Sequence, residues 1–267
     1  MIRNFFGLER IPFTREVETR HLHRSERFEE CVARLQYMVM TRSIGYVTGE
    51  IGCGKSTVIR ALKDRLDANK YRFLYLSDAN LKPRDFYREL LHHFGLTPSF
   101  LRSEAKRQFQ HLVWDLYENQ QKVAIVVVDE AHLLSGDMLQ EIRFLTNFQM
   151  DSVSPLALIL VGQPELQATL QLRIFRPITQ RMNVRFHLES LSAQETRDYI
   201  GHQLEVAGST HPVFTTEAMD AIYAHTRGIS REINNVCTAA LLDAVVRKDK
   251  LIDALHISRV LSEFHEE

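Results

Sequence analysis

Short runs of apolar, often β-branched residues alternate along the first 190 positions with segments whose apolar residues recur at helical spacing. Residues 25–40 place Phe28, Val32, Leu35 and Val39 on one face behind Ser25, a good N-cap, and so predict a helix. The five residues Ile44-Gly45-Tyr46-Val47-Thr48 predict a buried strand running straight into glycines. Residues 57–68 follow as a helix with Val58, Ala61, Leu62 and Leu66 inward. A strand over 72–76, helices over 83–94 and 103–119, and a strand over 123–128, the most apolar in the chain, continue the pattern. A helix over 138–148 and strands over 156–161 and 183–188 complete it. Strands apolar on both faces and alternating with helices predict a parallel sheet between two helical layers. Beyond residue 188 only helical periodicity remains, over 193–207, 216–226, 230–247 and 253–264. The expected organisation is an α/β core over 1–190, including an N-terminal arm over 1–24, and a small helical domain over 191–267.

Composition refines this picture little. Of 267 residues, 45% are hydrophobic and 25% charged, which is ordinary for a globular chain with a real core. No apolar run approaches the roughly 20 residues of a membrane-spanning helix, and Met1 to Gly7 lacks a secretory signal. Cys31, Cys53 and Cys237 stand far apart, without metal-ligand spacing, as expected of a reduced cytoplasmic protein away from any membrane. A net charge of −1 weighs against a strongly basic nucleic-acid binder. Bases nevertheless outnumber acids between Lys63 and Arg107, and such clustering can make a local basic stripe.

The chemistry concentrates after the first strand. Gly49-Glu50-Ile51-Gly52-Cys53-Gly54-Lys55-Ser56 is a complete Walker A loop. Its glycines let backbone N–H groups curl around an anion at the start of a helix, with Thr57 extending the contact set. Lys55 is expected to neutralise the β- and γ-phosphates of ATP, and Ser56 to ligate Mg²⁺. Asp129, at the end of the strand 123–128, takes the Walker B role of holding Mg²⁺, and Glu130 that of general base for the attacking water. Asp129-Glu130-Ala131-His132 also spells a helicase signature, but those motors need two tandem core domains and this chain has room for one. His92-His93, His111 and His132 form no evident catalytic set.

A P-loop core followed by a helical lid resembles the AAA+ superfamily, and further motifs extend the likeness. Leu158 to Val161 with Gly162-Gln163-Pro164 resembles the sensor 1 strand, implying that Gln163 lies near the γ-phosphate. Ile178-Thr179-Gln180-Arg181 resembles the arginine-finger position, with Arg181 reaching a neighbouring subunit's nucleotide; Arg173 and Arg176 are alternatives, and Arg185 lies close by. Gly228-Ile229-Ser230-Arg231 resembles sensor 2, implying that Arg231 touches ATP in cis. The implied fold is a three-layer αβα core with a parallel sheet and a C-terminal helical lid. The implied activity is a slow ATPase stimulated by assembly or by a partner.

Within that superfamily, Phe5-Phe6-Gly7-Leu8 with Pro12-Phe13, the phosphate loop and Gly162-Gln163-Pro164-Glu165-Leu166 are similar to the ExeA/GspA-type ATPases. That group includes secretion ATPases and stand-alone regulators of the MuB, TnsC and IstB type, which assemble on target DNA and recruit or stimulate a transposase. The secretion proteins typically continue into a membrane segment and a wall-binding domain, and the expectation here is a protein with neither. Lys82, Arg84 and Arg88 start one helix, and Arg102, Lys106 and Arg107 the next. Helix N-termini prefer anions, so bases there suggest sequence-independent contacts to the phosphates of double-stranded DNA. The expectation is a homo-oligomeric ring or filament that assembles with ATP on DNA and activates a transposase. The alternatives are a secretion or envelope-assembly ATPase acting on protein partners, or an ATP-gated scaffold with little hydrolysis.

Overall fold

The computed structural model describes residues 1–78, 81–145, 148–149 and 152–263. They form two compact units, one built from Arg27–Gly49 and Lys55–Leu188, the other from Met1–Glu26, Glu50–Gly54 and the chain from Glu189 onward.

The first unit holds the sheet. Strands β1 (Ile44–Thr48), β2 (Tyr71–Leu76), β3 (Val123–Val128), β4 (Leu156–Gly162) and β5 (Met182–His187) are arranged in the order β2-β3-β4-β1-β5, all neighbours parallel. The side-chain period of two sends Ala124, Val126 and Val128 of β3 into one face and Ile125 and Val127 into the other, and all five are buried. On the first face, α4 (Pro83–His93), α5 (Arg102–Glu118), α6 (Gly136–Leu145), α7 (Pro164–Gln171) and the short α8 (Arg176–Thr179) close the core around Tyr87, Phe109 and Ile142. On the other lies α2 (Glu26–Met40), which approaches β1 so closely that a Cβ on Gly45 would stand 2.6 Å from the Met38 sulfur. Helix α3 (Lys55–Arg65) joins α2 through Arg65, whose guanidinium donates to both oxygens of Glu29 at 2.7 and 2.8 Å. The α/β class, the parallel sheet and its helical layers are as expected.

Most boundaries fall within two residues of those read from periodicity, with α3 starting at Lys55 and α6 at Gly136. The expected end of the helix over 138–148 crosses residues 146 and 147, which lie outside the described residues, as does position 264 at the end of the last helix.

The second unit contains α9 (Ala193–Val206), α10 (Thr216–Thr226), α11 (Ser230–Arg247) and α12 (Ala254–Glu263) around Ile200, Phe214, Ile222, Ile233, Val236 and Ile257. Ser192 and Glu195 make a reciprocal capping box on α9. The N-terminal arm, which opens with α1 (Ile2–Phe6) and was expected with the α/β core, instead clusters with these helices. Phe13 is buried in their core, edge-on to Phe214 at 6.3 Å, and Lys250 sits over the ring of Phe5 at 3.9 Å. A Phe-rich tract far from the lid in sequence finds its apolar partners there, which helical periodicity alone could not indicate.

Candidate functional site

Parallel strands deliver their C-termini to one edge of the sheet, where open α/β folds bind ligands outside the strand ends. The fully buried β1 ends at Thr48 and feeds the phosphate loop. Gly52 (φ 85°) and Gly54 (φ 102°) occupy left-handed conformations that side chains resist, so the loop turns sharply into the N-terminus of α3. The four leading N–H groups of that helix have no partner within it and favour an anion. Lys55 is buried, and its Nζ donates to the Gly49 carbonyl at 2.8 Å across the base of the loop.

Asp129 follows β3 directly and is buried. Its Oδ2 accepts from Ser56 Oγ at 3.4 Å and from the Tyr75 hydroxyl, while Oδ1 accepts the Glu130 N–H at 2.9 Å. Burial, then the bond to Asp129, pushes the Tyr75 phenol well above its ordinary range, so it stays a donor. A hydroxyl and a carboxylate this close beside a phosphate loop suit Mg²⁺, which takes few protein oxygens and shares phosphate and water. Ser56 and Asp129 would hold the ion, which would neutralise phosphate charge. Among the described residues, no cluster of His, Cys, Asp and Glu forms a metal cage of its own.

Glu130 adopts a left-handed backbone conformation (φ 51°), unusual for a non-glycine residue, and its side chain is 48% exposed. Its Oε2 lies 3.6 Å from Nδ1 of His132, a largely buried side chain whose Nε2 is 2.9 Å from the Gln163 side-chain amide. Gln163 therefore meets the Walker B segment through His132. Sequence reasoning set His132 aside as part of no catalytic set and passed over Tyr75. Their signals were present: a histidine two residues after the acid pair, and a hydroxyl aromatic near the end of β2, which pairs with β3. Neither identifies a partner without the sheet order.

The other candidates disperse. Arg181 lies with its Nη1 3.4 Å from the Arg143 carbonyl. Arg173, Arg176 and Arg185 line an open cavity of about 580 Å³ along β5 with Tyr46 and His187. In the second unit, the Arg231 N–H donates to Gly52 O at 3.2 Å, and a Cβ on Gly52 would stand 2.7 Å from that of Arg231. The start of α11 and the crown of the phosphate loop, Glu50, Ile51, Gly52, Cys53 and Gly54, thus share one compact unit.

Several bases expected to face DNA have partners within the chain. Arg102 and Lys106 both pair with Glu141, Lys106 at 2.8 Å. Arg84 stacks over Phe100 at 4.3 Å, and Arg88 lies 3.7 Å from Asp85. Arg107 lines a groove with Glu104, His111 and Asp115, and Lys82 caps α4 through its backbone. Burial raises the Glu141 carboxyl, but the donors Lys106, Tyr87 and Arg102 outweigh it and hold it below the usual range. A nearly buried carboxylate thus offsets charge that a reading of the sequence alone assigns to a basic stripe.

Among the described residues, no helix is long and apolar enough to cross a membrane. Residues 38–170 match the AAA domain family. General secretion pathway protein A of Aeromonas hydrophila is 37% identical over 254 residues, 92% of this chain and 45% of that protein. The chain therefore spans less than half the length of the curated relative it matches. Among solved structures, Cdc6p from Pyrobaculum aerophilum superposes with a TM-score of 0.68 at 16% identity, over 90% of this chain and 67% of that one. The Aeropyrum pernix ORC1 protein in complex with DNA gives 0.68 at 16%, over 96% and 66%. Such identities speak to the fold alone. By domain match and by fold alike, the chain has the parallel α/β P-loop AAA fold, with residues 38–170 matching the AAA domain.

Proposed function

We propose that the protein is an ATPase of the General secretion pathway protein A type, in which ATP binding builds an oligomer and hydrolysis releases a protein partner. The observation that carries this reading is the 37% identity sustained over 92% of the chain, helical unit included. Lys55 exchanges the Gly49 carbonyl for the β- and γ-phosphates, and Ser56 with Asp129 would hold Mg²⁺, which would neutralise phosphate charge. Glu130 takes a proton from the attacking water as its oxygen bonds to the γ-phosphorus and the bond to the β–γ bridging oxygen breaks. ADP and phosphate are the products. Gln163 orients the γ-phosphate, Arg181 reaches the site of an adjoining copy, and Arg231, held at Gly52, responds to the loop's conformation.

A second reading is an ATP-dependent oligomer on double-stranded DNA that recruits a transposase. It draws on Phe100, which is 77% exposed beneath Arg84, and on Phe144, flanked by Lys106 at 4.8 Å and Arg143 at 5.6 Å. Aromatic faces among cations suit nucleic acid. The ion pairing of Arg102 and Lys106 with Glu141 weighs the other way.

Phosphate release, sedimentation and DNA retention test both readings on one preparation. Glu130→Gln should hydrolyse at least ~100-fold more slowly while still sedimenting as an ATP-dependent oligomer. Equal rates for wild type and variant would remove Glu130 as the base and leave a nucleotide-gated scaffold. The protein-partner reading expects no ATP-dependent, salt-sensitive retention of a generic duplex, and strong retention would transfer support to the DNA reading.

A further inference from the structure

The base proposed for hydrolysis and the side chain proposed to sense the γ-phosphate do not touch, yet one imidazole reaches both. His132 Nδ1 lies 3.6 Å from Glu130 Oε2, and Nε2 lies 2.9 Å from the Gln163 amide. The Gln163 backbone N–H also points at Nδ1, at 3.5 Å. These contacts are incompatible with one protonation pattern. A neutral imidazole carries one proton, so one ring nitrogen donates and the other accepts. If Nδ1 carries it, Nδ1–H faces Glu130 in an electrostatic contact at 3.6 Å, longer than a hydrogen bond, and Nε2 accepts from the Gln163 NH₂ group. If Nε2 carries it, Nε2–H donates to the Gln163 amide oxygen, Nδ1 accepts the Gln163 backbone N–H, and Glu130 is released. Which pattern holds depends on which end of the Gln163 amide faces the ring.

We propose that His132 is a positioning residue that transmits the orientation of the Gln163 amide to Glu130 by exchanging tautomers. This rests on the reading of Glu130 as base and Gln163 as sensor. When the Gln163 NH₂ turns to a γ-phosphate oxygen, its carbonyl faces Nε2, which then carries the proton. The Nδ1 proton passes to water, another enters at Nε2, and net charge is unchanged. Glu130 loses the N–H that faces it, so its carboxylate is free to accept from the attacking water. Before ATP binds, the same contact keeps Glu130 turned away from it. The surroundings hold the ring for this task. Its side chain is 12% exposed, and a Cβ on Gly162 would stand 3.0 Å from the His132 backbone nitrogen, so the end of β4 packs tightly against the backbone that carries the ring.

Imidazole ¹⁵N spectroscopy reads the tautomer directly. Among the 12 histidines, the His132 signals are assigned by their loss in His132→Phe, which keeps a ring but no nitrogens. The expected result is protonation at Nδ1 in free protein and at Nε2 with Mg²⁺ and a non-hydrolysable ATP analogue, with no exchange in Gln163→Ala. The same tautomer in both states overturns the proposal. Kinetically, His132→Phe and Gln163→Ala should each lower kcat about tenfold with KM within twofold, and the double variant should fall no further than the lower single one. Multiplicative losses, or a His132→Phe enzyme with wild-type kcat, also overturn it. Tautomer exchange in a protein whose Glu130→Gln variant hydrolyses normally would leave the relay standing and remove the base assignment instead.

Discussion

Glu141 offers the sharpest test of how the first unit is held together. Its carboxylate is 4% exposed at the meeting of α4, α5 and α6, accepting from Tyr87 at 2.6 Å, from Lys106 at 2.8 Å and from Arg102. Glu141→Gln keeps the shape and an acceptor for Tyr87 but removes the charge. A hydrogen bond to a charged acceptor contributes about 1 kcal/mol more than a neutral one, which sets the Tyr87 share. The Lys106 ammonium, 26% exposed, adds about 1 kcal/mol. Arg102 is 53% exposed, so solvent screening limits it to about 0.5 kcal/mol. The total, about 2–3 kcal/mol at neutral pH, corresponds to a fall in Tm of roughly 4–12 °C for a unit of this size. Circular-dichroism melts of the two proteins measure it. Because the folded carboxyl lies below its ordinary range, the stabilisation is fully present above the unfolded value of about 4.3 and fades as pH falls through the folded one. The gap between wild type and variant should therefore close in acid. Equal melting at neutral pH, or a gap unchanged well below pH 4, would refute the argument. The variant should also bind heparin at higher salt, since Arg102 and Lys106 lose their counter-charge.

Tyr75→Phe removes the donor that orients Asp129 and should raise the Mg²⁺ needed for half-maximal ATPase about tenfold; an unchanged Mg²⁺ titration would show that Ser56 suffices. Gly228→Ala places a Cβ 1.8 Å from the Leu191 carbonyl at φ 78°, so the helical unit should lose at least ~3 kcal/mol, seen as faster amide exchange across residues 191–263. Protection equal to wild type would mean that the turn relaxes at no cost. Ser192→Ala breaks the α9 capping box, in which Ser192 Oγ accepts the Glu195 N–H at 3.2 Å; about 1 kcal/mol of stability should go, measured by urea denaturation.

Local chemistry was legible where it depends on neighbours in the chain. Glycines at fixed spacing before Lys55 and Ser56 dictate an anion-binding turn, and the apolar run over 123–128 with the following acids dictates a buried strand with a carboxylate tip, because backbone sterics and side-chain periodicity act over a few residues. The alternation of such runs with helices was enough for a parallel α/β sheet and a helical appendix. Pairings across the chain were not legible. Glu141 offsets two bases some 35–40 positions away, Tyr75 reaches Asp129 from another strand, and His132 finds Gln163 only because β3 and β4 are neighbours. The arm carrying Phe13 joins the helical unit because its apolar surface fits there, whatever its distance in sequence. Composition and period determine which segments form and which face is apolar. Which side chains meet depends on strand order and packing, and that order is chosen by the whole core at once.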